Sequence, residues 1–182
     1  MKYKPKSVTL KNGISCILKS PGPEDAPTVL RMLYTTSEET SFLSRYPDEI
    51  DITIIQEQQF LQHCLKSKQD LMICAFIQGN PVGSVGINPI ALHERYAHRA
   101  SFGISICKDY WGLGIGSHLL TAALSGAREI GFEQLELEVV CTNERAIALY
   151  EKFGFYTYGT REQCFKYRDG TYASEYLMMR KV

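Results

Sequence analysis

A chain of 182 residues is long enough for one domain with a sizeable core, and 45% hydrophobic with 22% charged residues is an ordinary globular composition. Twenty basic and twenty acidic residues cancel, so bulk charge argues for neither nucleic acid nor a membrane surface as the main partner. No apolar run approaches the ~20 residues of a membrane span and the basic N-terminus lacks a signal-peptide hydrophobic region, which predicts a cytoplasmic protein.

In chain order, Ser7–Leu10 and Ile14–Lys19 read as short strands joined by a Lys11-Asn12-Gly13 turn. Pro21-Gly22-Pro23 ends that unit, and Glu24-Asp25-Ala26-Pro27 reads as the acidic, proline-bearing first turn of a helix. The apolar stripe of that helix is Val29, Leu30, Leu33 and Tyr34. Thr35–Asp51 is polar, contains Pro47, and reads as a loop or short broken helix. Thr53–Lys66 follows as a helix expected to bury Ile54, Ile55, Phe60, Leu61 and Leu65. Leu71–Ile77 and Val82–Asn88 are strands flanking the turn Gln78-Gly79-Asn80-Pro81, and Ala91–Arg99 is a polar loop with His93, Glu94 and His98.

Ala100–Ile106 is the next strand. A helix over Ser117–Ile130 carries the stripe Leu120, Leu124, Ala127 and Ile130, which leaves His118, Thr121 and Arg128 on the wetter side, with Gly131 at its C′ position. Gln134–Val140 is a strand with Leu135, Leu137 and Val139 on one face and Glu136 and Glu138 on the other. Asn143 or Thr142 caps a helix that runs to about Phe153 and is ended by Gly154. Strands near Phe155–Tyr167 and Tyr172–Arg180 are joined by Arg168-Asp169-Gly170. With no repeat, linker or low-complexity stretch, residues 1–182 read as one α/β domain.

Between a strand and a helix lies Tyr110–Ser117, Tyr-Trp-Gly-Leu-Gly-Ile-Gly-Ser, where three glycines alternate with other residues. A glycine loop opening a helix can turn several backbone N–H groups toward one anion, and the helix N-terminus adds partial positive charge. No lysine follows these glycines as a P-loop requires, and a dinucleotide G-x-G-x-x-G fails because Ser117 or Leu119 occupies the last position. The six cysteines form no C-x-x-C pair and no metal-ligand spacing, so no metal is expected.

What the stretch does resemble is the GCN5-related N-acetyltransferase (GNAT) superfamily. The resemblance covers most of the chain and is strongest over Ser101–Phe155. The family loop reads [Gln/Arg]-x-x-Gly-x-[Gly/Ala]; Gly114 and Gly116 match, and Trp111 takes the first place. A second motif, Asn143-Glu-Arg-Ala-Ile-Ala-Leu-Tyr-Glu-Lys-Phe-Gly-Phe155, stands at the correct distance. The resemblance implies an α/β (α+β) fold with a mixed, mostly antiparallel sheet of about seven strands and about four flanking helices. It also implies that the sheet splays between the two parallel strands that hold CoA.

The same resemblance assigns backbone of Ile104, Ser105 and Ile106 to the pantetheine arm. Backbone around Trp111, Gly112, Leu113, Gly114, Ile115, Gly116 and Ser117 is assigned to the pyrophosphate. Asn143 would contact the CoA arm and Tyr150 would sit near the sulfur; the plainer readings are a helix cap for Asn143 and a core aromatic for Tyr150. The implied activity is acetyl transfer from acetyl-CoA to a primary amine by direct attack, with Tyr150 protonating the leaving thiolate. Ser101 stands near the place where many members carry a glutamate base. Glu138 acting through a water is the expected substitute, with Glu94 and His98 as alternatives. Trp111 offers only an indole N–H to an anion, so Lys108, Arg145 or Lys152 would supply the positive charge. Protein N-termini, polyamines, aminoglycosides and amino-acid-like metabolites are all acceptors in that superfamily, and homodimers are common in it. A CoA-binding regulator without turnover is the alternative reading.

Overall fold

The computed structural model describes residues 1–182. Apolar runs broken by glycine turns produce eight strands: β1 (Lys6–Thr9), β2 (Ser15–Lys19), β3 (Leu71–Ile77), β4 (Asn80–Pro89), β5 (Arg99–Ile106), β6 (Gln134–Val140), β7 (Tyr156–Lys166) and β8 (Tyr172–Lys181). They form one sheet in the order β1-β2-β3-β4-β5-β6-β8-β7, the eight strands read along the chain and one more than the resemblance implies. The helices are α1 (Ala26–Glu38), α2 (Ile54–Lys66), α3 (Ile115–Ile130) and α4 (Glu144–Lys152).

Strand alternation assigns the helices to opposite faces of the sheet. Along β3, Ile73, Ala75 and Ile77 join the main core with Leu119, Leu120 and Ala123 of α3 and Tyr150 of α4. The alternate residues Cys74 and Phe76 instead pack with Val29 of α1 and Leu61 of α2. Two expectations for α1 and α2 fail. Helix α1 continues through Thr35 to Glu38 and buries Met32, Thr36 and Ser37, leaving Tyr34 exposed. Helix α2 buries Glu57, Leu61 and Cys64, while Ile54, Ile55 and Phe60 are 49%, 65% and 46% exposed. A helix laid on a sheet as a single outer layer buries one narrow stripe, and here the i, i+4, i+7 set starts at Glu57.

All strand pairings are antiparallel except β5 with β6. That parallel pairing lasts only through Arg99↔Gln134, Ala100↔Leu135 and Ser101↔Glu136. Beyond it β5 stays with β4 as far as Gly83↔Ile106, and β6 stays with β8 as far as Val140↔Glu175. The two strands therefore part from Phe102 onward, leaving the gap-facing backbone of β5 without a strand partner. The closed end is pinned by Arg99, which donates from Nε and Nη2 to the two carboxylate oxygens of Glu136 (2.5 and 2.8 Å). Gln134 Nε2 donates to the same carboxylate at 2.8 Å. Glu136 is thus buried in a bonded cluster, unlike its exposed neighbour Glu138.

Candidate active site

The glycine loop leaves β5 through a short 3-10 turn, Lys108–Tyr110, and enters α3 at Ile115, two residues before the expected start. Gly112 and Gly114 have φ of +81° and +93°, which side chains rarely adopt. At Gly116 the constraint is proximity: a Cβ would stand 3.0 Å from Leu149 Cδ2 and 3.4 Å from Ile106 Cδ1. The first intrahelical donor near the start of α3 is the His118 N–H, bonded to Gly114 O at 3.2 Å. The N–H groups of Ile115, Gly116 and Ser117 thus lie ahead of the helical ladder and are available to an anion.

The parted strands open into a cavity of about 1070 Å³. Its wall includes Ile104, Ser105, Ile106, Trp111, Gly112, Gly114, Ile115, Gly116 and Ser117, together with Asn143, Tyr150 and Glu138. Leu113 is the exception. Its side chain packs against the core and its carbonyl accepts from Lys11 N–H at 3.1 Å, so the loop turns it away from the cavity. Ser101 is exposed, and neither it nor Glu94 or His98 lines the cavity. The two loop residues lie beyond the opposite end of β5, on the paired side of the sheet, which removes them as base candidates.

Asn143 is both cap and wall: its Oδ1 accepts from Ala146 N–H at 3.3 Å, and its amide NH2 makes no bond to protein. Tyr150 is 6% exposed, with its ring edge-on to Phe102 (centroids 5.8 Å apart) and tilted to Phe155 (6.0 Å). Burial pushes the phenol well above its ordinary pKa, so the hydroxyl stays protonated and keeps a proton to donate. Trp111 does not offer its indole N–H to a ligand, because that group donates to Ile106 O at 2.7 Å. Its ring face instead holds the Arg145 guanidinium, 4.9 Å from the centroid. Arg145 is thereby held beside the glycine loop.

Glu138 donates nothing and accepts from Arg161 Nη2 at 2.7 Å, with half of its side chain exposed. Arg161 also donates from Nη1 to Glu175 at 3.2 Å. Glu175 is buried, stands opposite Val140 in the register and lines the cavity. The sequence reading missed it, as it missed Lys11 and Arg45, which also reach the cavity. Lys11 lies against Gly114, with Cγ 3.8 Å from where a Cβ would be. No local pattern marks these three; only the fold brings them to one place. No group of three or more His, Cys, Asp or Glu side chains is arranged to hold a metal ion.

The profile of the acetyltransferase (GNAT) family matches residues 31–155. An acetyltransferase of that family from Streptococcus pneumoniae superposes with a TM-score of 0.88 at 31% identity, covering 92% of this chain and 99% of the other. An L-amino acid N-acetyltransferase of Escherichia coli is 30% identical over 109 residues, 59% of this chain and 66% of its own length. An N-alpha-acetyltransferase of Arabidopsis thaliana is 33% identical over 85 residues, 47% of this chain. The aligned part spans 44% of the plant protein, so these two curated relatives are covered over less than two thirds of their length.

Proposed function

Because the chain belongs to the acetyltransferase (GNAT) family, we propose that it is an N-acetyltransferase that moves the acetyl group of acetyl-CoA to a primary amine. The observation that carries this reading is the parting of β5 from β6 beside a glycine loop with free helix N–H groups. An extended pantetheine arm can add to the unpaired edge of β5 at Ile104 and Ser105 while its pyrophosphate meets the N–H groups of Ile115–Ser117. Lys11 and Arg145 supply the cationic surroundings.

In this reading the amine nitrogen attacks the thioester carbonyl, the C–N bond forms, and the C–S bond then breaks. A backbone N–H on the open edge of β5 receives the carbonyl oxygen as its charge grows. Tyr150, buried and protonated, gives its proton to the departing thiolate, and the second proton, shed by the nitrogen as the amide forms, restores the phenol. The amine must lose a proton before attack. In this reading Glu138, which lines the cavity and is joined through Arg161 to Glu175, takes it through a water. Six cysteines without a disulfide support a reducing compartment as the setting.

Tyr150→Phe tests the reading. It is expected to lower kcat by about 10²- to 10⁴-fold with little change in the KM for acetyl-CoA, read as release of free thiol. Full turnover in this variant would remove Tyr150 from the chemistry. CoA binding by the wild-type protein with no turnover on any amine would favour a CoA-binding regulator instead.

A further inference from the structure

Four basic side chains reach the cavity wall: Lys11, Arg45, Arg145 and Lys152. Lys11 and Arg145 are accounted for beside the glycine loop, and Lys152 lies on α4. Arg45 comes from elsewhere, from the segment between α1 and α2, and shares an adjoining lobe of about 440 Å³ with Ser84 of β4 and Phe60 of α2. Its Nε–H donates to Ser37 Oγ at 3.2 Å, and that hydroxyl donates to Leu33 O at 2.8 Å, so α1 fixes the direction of the guanidinium.

The rest of the guanidinium is unused. Arg45 takes part in none of the protein's ion pairs. Asp51 and Glu57 line the same lobe, yet neither comes within ion-pairing distance of it. The two terminal NH2 groups have no protein acceptor, and no fully buried side-chain nitrogen or oxygen lacks a partner, so they are not sealed in the protein, and Arg45 lines the cavity. Partial burial without a counter-charge disfavours the charged form and lowers the pKa of the guanidinium from its ordinary value. Across the gap, on β6 and β8, the wall carries the carboxylates of Glu138 and Glu175. The cavity therefore carries an unpaired cation on the β4 side and, on the β8 side, two acids that share the single cation Arg161.

We propose that Arg45 clamps a carboxylate of the acceptor, and that the acceptor is an amino acid or a similarly small amine bearing a carboxylate. The inference rests on the N-acetyltransferase reading above and names its substrate class. The two terminal NH2 groups of Arg45 match a carboxylate in a forked pair, and the acceptor's amine then points toward the acids and the thioester gap. Polyamines and aminoglycosides, which carry several positive charges and no carboxylate, are disfavoured by the same cation.

Acetyl transfer is measured at saturating acetyl-CoA for L-amino acids, each paired with its amide, and for polyamines and short peptides, on wild type and Arg45→Gln. The acids are expected to exceed their amides by about ten- to a hundredfold in kcat/KM, the worth of a charge-assisted hydrogen-bond pair. Arg45→Gln should erase that preference while leaving the KM for acetyl-CoA and the CoA-induced thermal shift unchanged, and Arg45→Lys should restore part of it. Amides, peptides or polyamines accepted as well as the acids would overturn the inference, as would an equal loss on acids and amides in Arg45→Gln. If no amine turns over, the enzymatic reading fails first, and calorimetric titration of the CoA-saturated protein with the same pairs decides the rest. Binding of the acids that depends on Arg45 would keep the clamp; equal or absent binding would sink it.

Discussion

At the scale of single residues, Trp111 braces the glycine loop without offering its N–H to a ligand. Its N–H ties the loop to Ile106 O and its ring positions Arg145. Trp111→Phe keeps an aromatic face and removes the hydrogen bond. CoA affinity is expected to fall about five- to tenfold, matching about 1–1.5 kcal/mol for one buried bond, with acceptor KM unaffected. Titration of CoA into the two proteins checks this, and equal affinities would make the Ile106 contact incidental. The motif positions were legible in the sequence because glycine conformation and helix capping are local properties. The occupation of the indole N–H was not, since it depends on the path of the 3-10 turn between the two residues.

At the scale of elements, the gap between β5 and β6 depends on how tightly their closed end is held. The Glu136 carboxyl lies below its usual range, chiefly because Arg99 hydrogen-bonds to the ionised form, against the opposing effect of burial. A depressed folded pKa means that the unfolded chain protonates first as acid is added. The stabilisation from this group is then complete above about pH 4.3 and is lost as the pH falls through the lower folded value. Glu136→Gln is expected to cost about 1–3 kcal/mol near neutral pH, with the difference from wild type shrinking in acid. Urea unfolding at neutral and acid pH measures both, and a difference that did not shrink would show that charge at Glu136 is not the cause. Periodicity identified both strands, matching the ends of β6 and reading the start of β5 one residue late. It could not show that Glu136 and Glu138, two residues apart on one face, have opposite surroundings, because the partners Arg99 and Arg161 come from different strands.

At the scale of the whole molecule, the far end of the sheet meets the segment between the first two helices. The turn between β7 and β8 grips the segment between α1 and α2. Arg168 Nη2 donates to both carboxylate oxygens of Asp48 (2.9 and 2.8 Å) and the guanidinium lies 3.9 Å over the Tyr46 ring, while Tyr167 donates to Ser41 O at 3.1 Å. Both charged partners are exposed, so the bridge adds little to global stability and is screened by salt. It does hold the segment that carries Arg45. Arg168→Ala should leave the melting temperature nearly unchanged and raise the acceptor KM about threefold, with high salt producing the same shift in wild type. An acceptor KM indifferent to both changes would mean that the segment is held by its packing alone.

The amino-acid sequence by itself determined the elements, the glycine loop, the cap at Asn143 and the position of Tyr150 one helix further on. Each of these is encoded within a few neighbouring residues, through side-chain period, φ preference or capping chemistry. Only the tertiary structure decided where β5 and β6 part, which stripe of α2 is buried, and which charges share the cavity. Arg45 and Glu175 read as ordinary polar residues in their own neighbourhoods. They acquire meaning when the strand order places α1 and β8 on either side of one gap, and long-range pairing of that kind leaves no local signature.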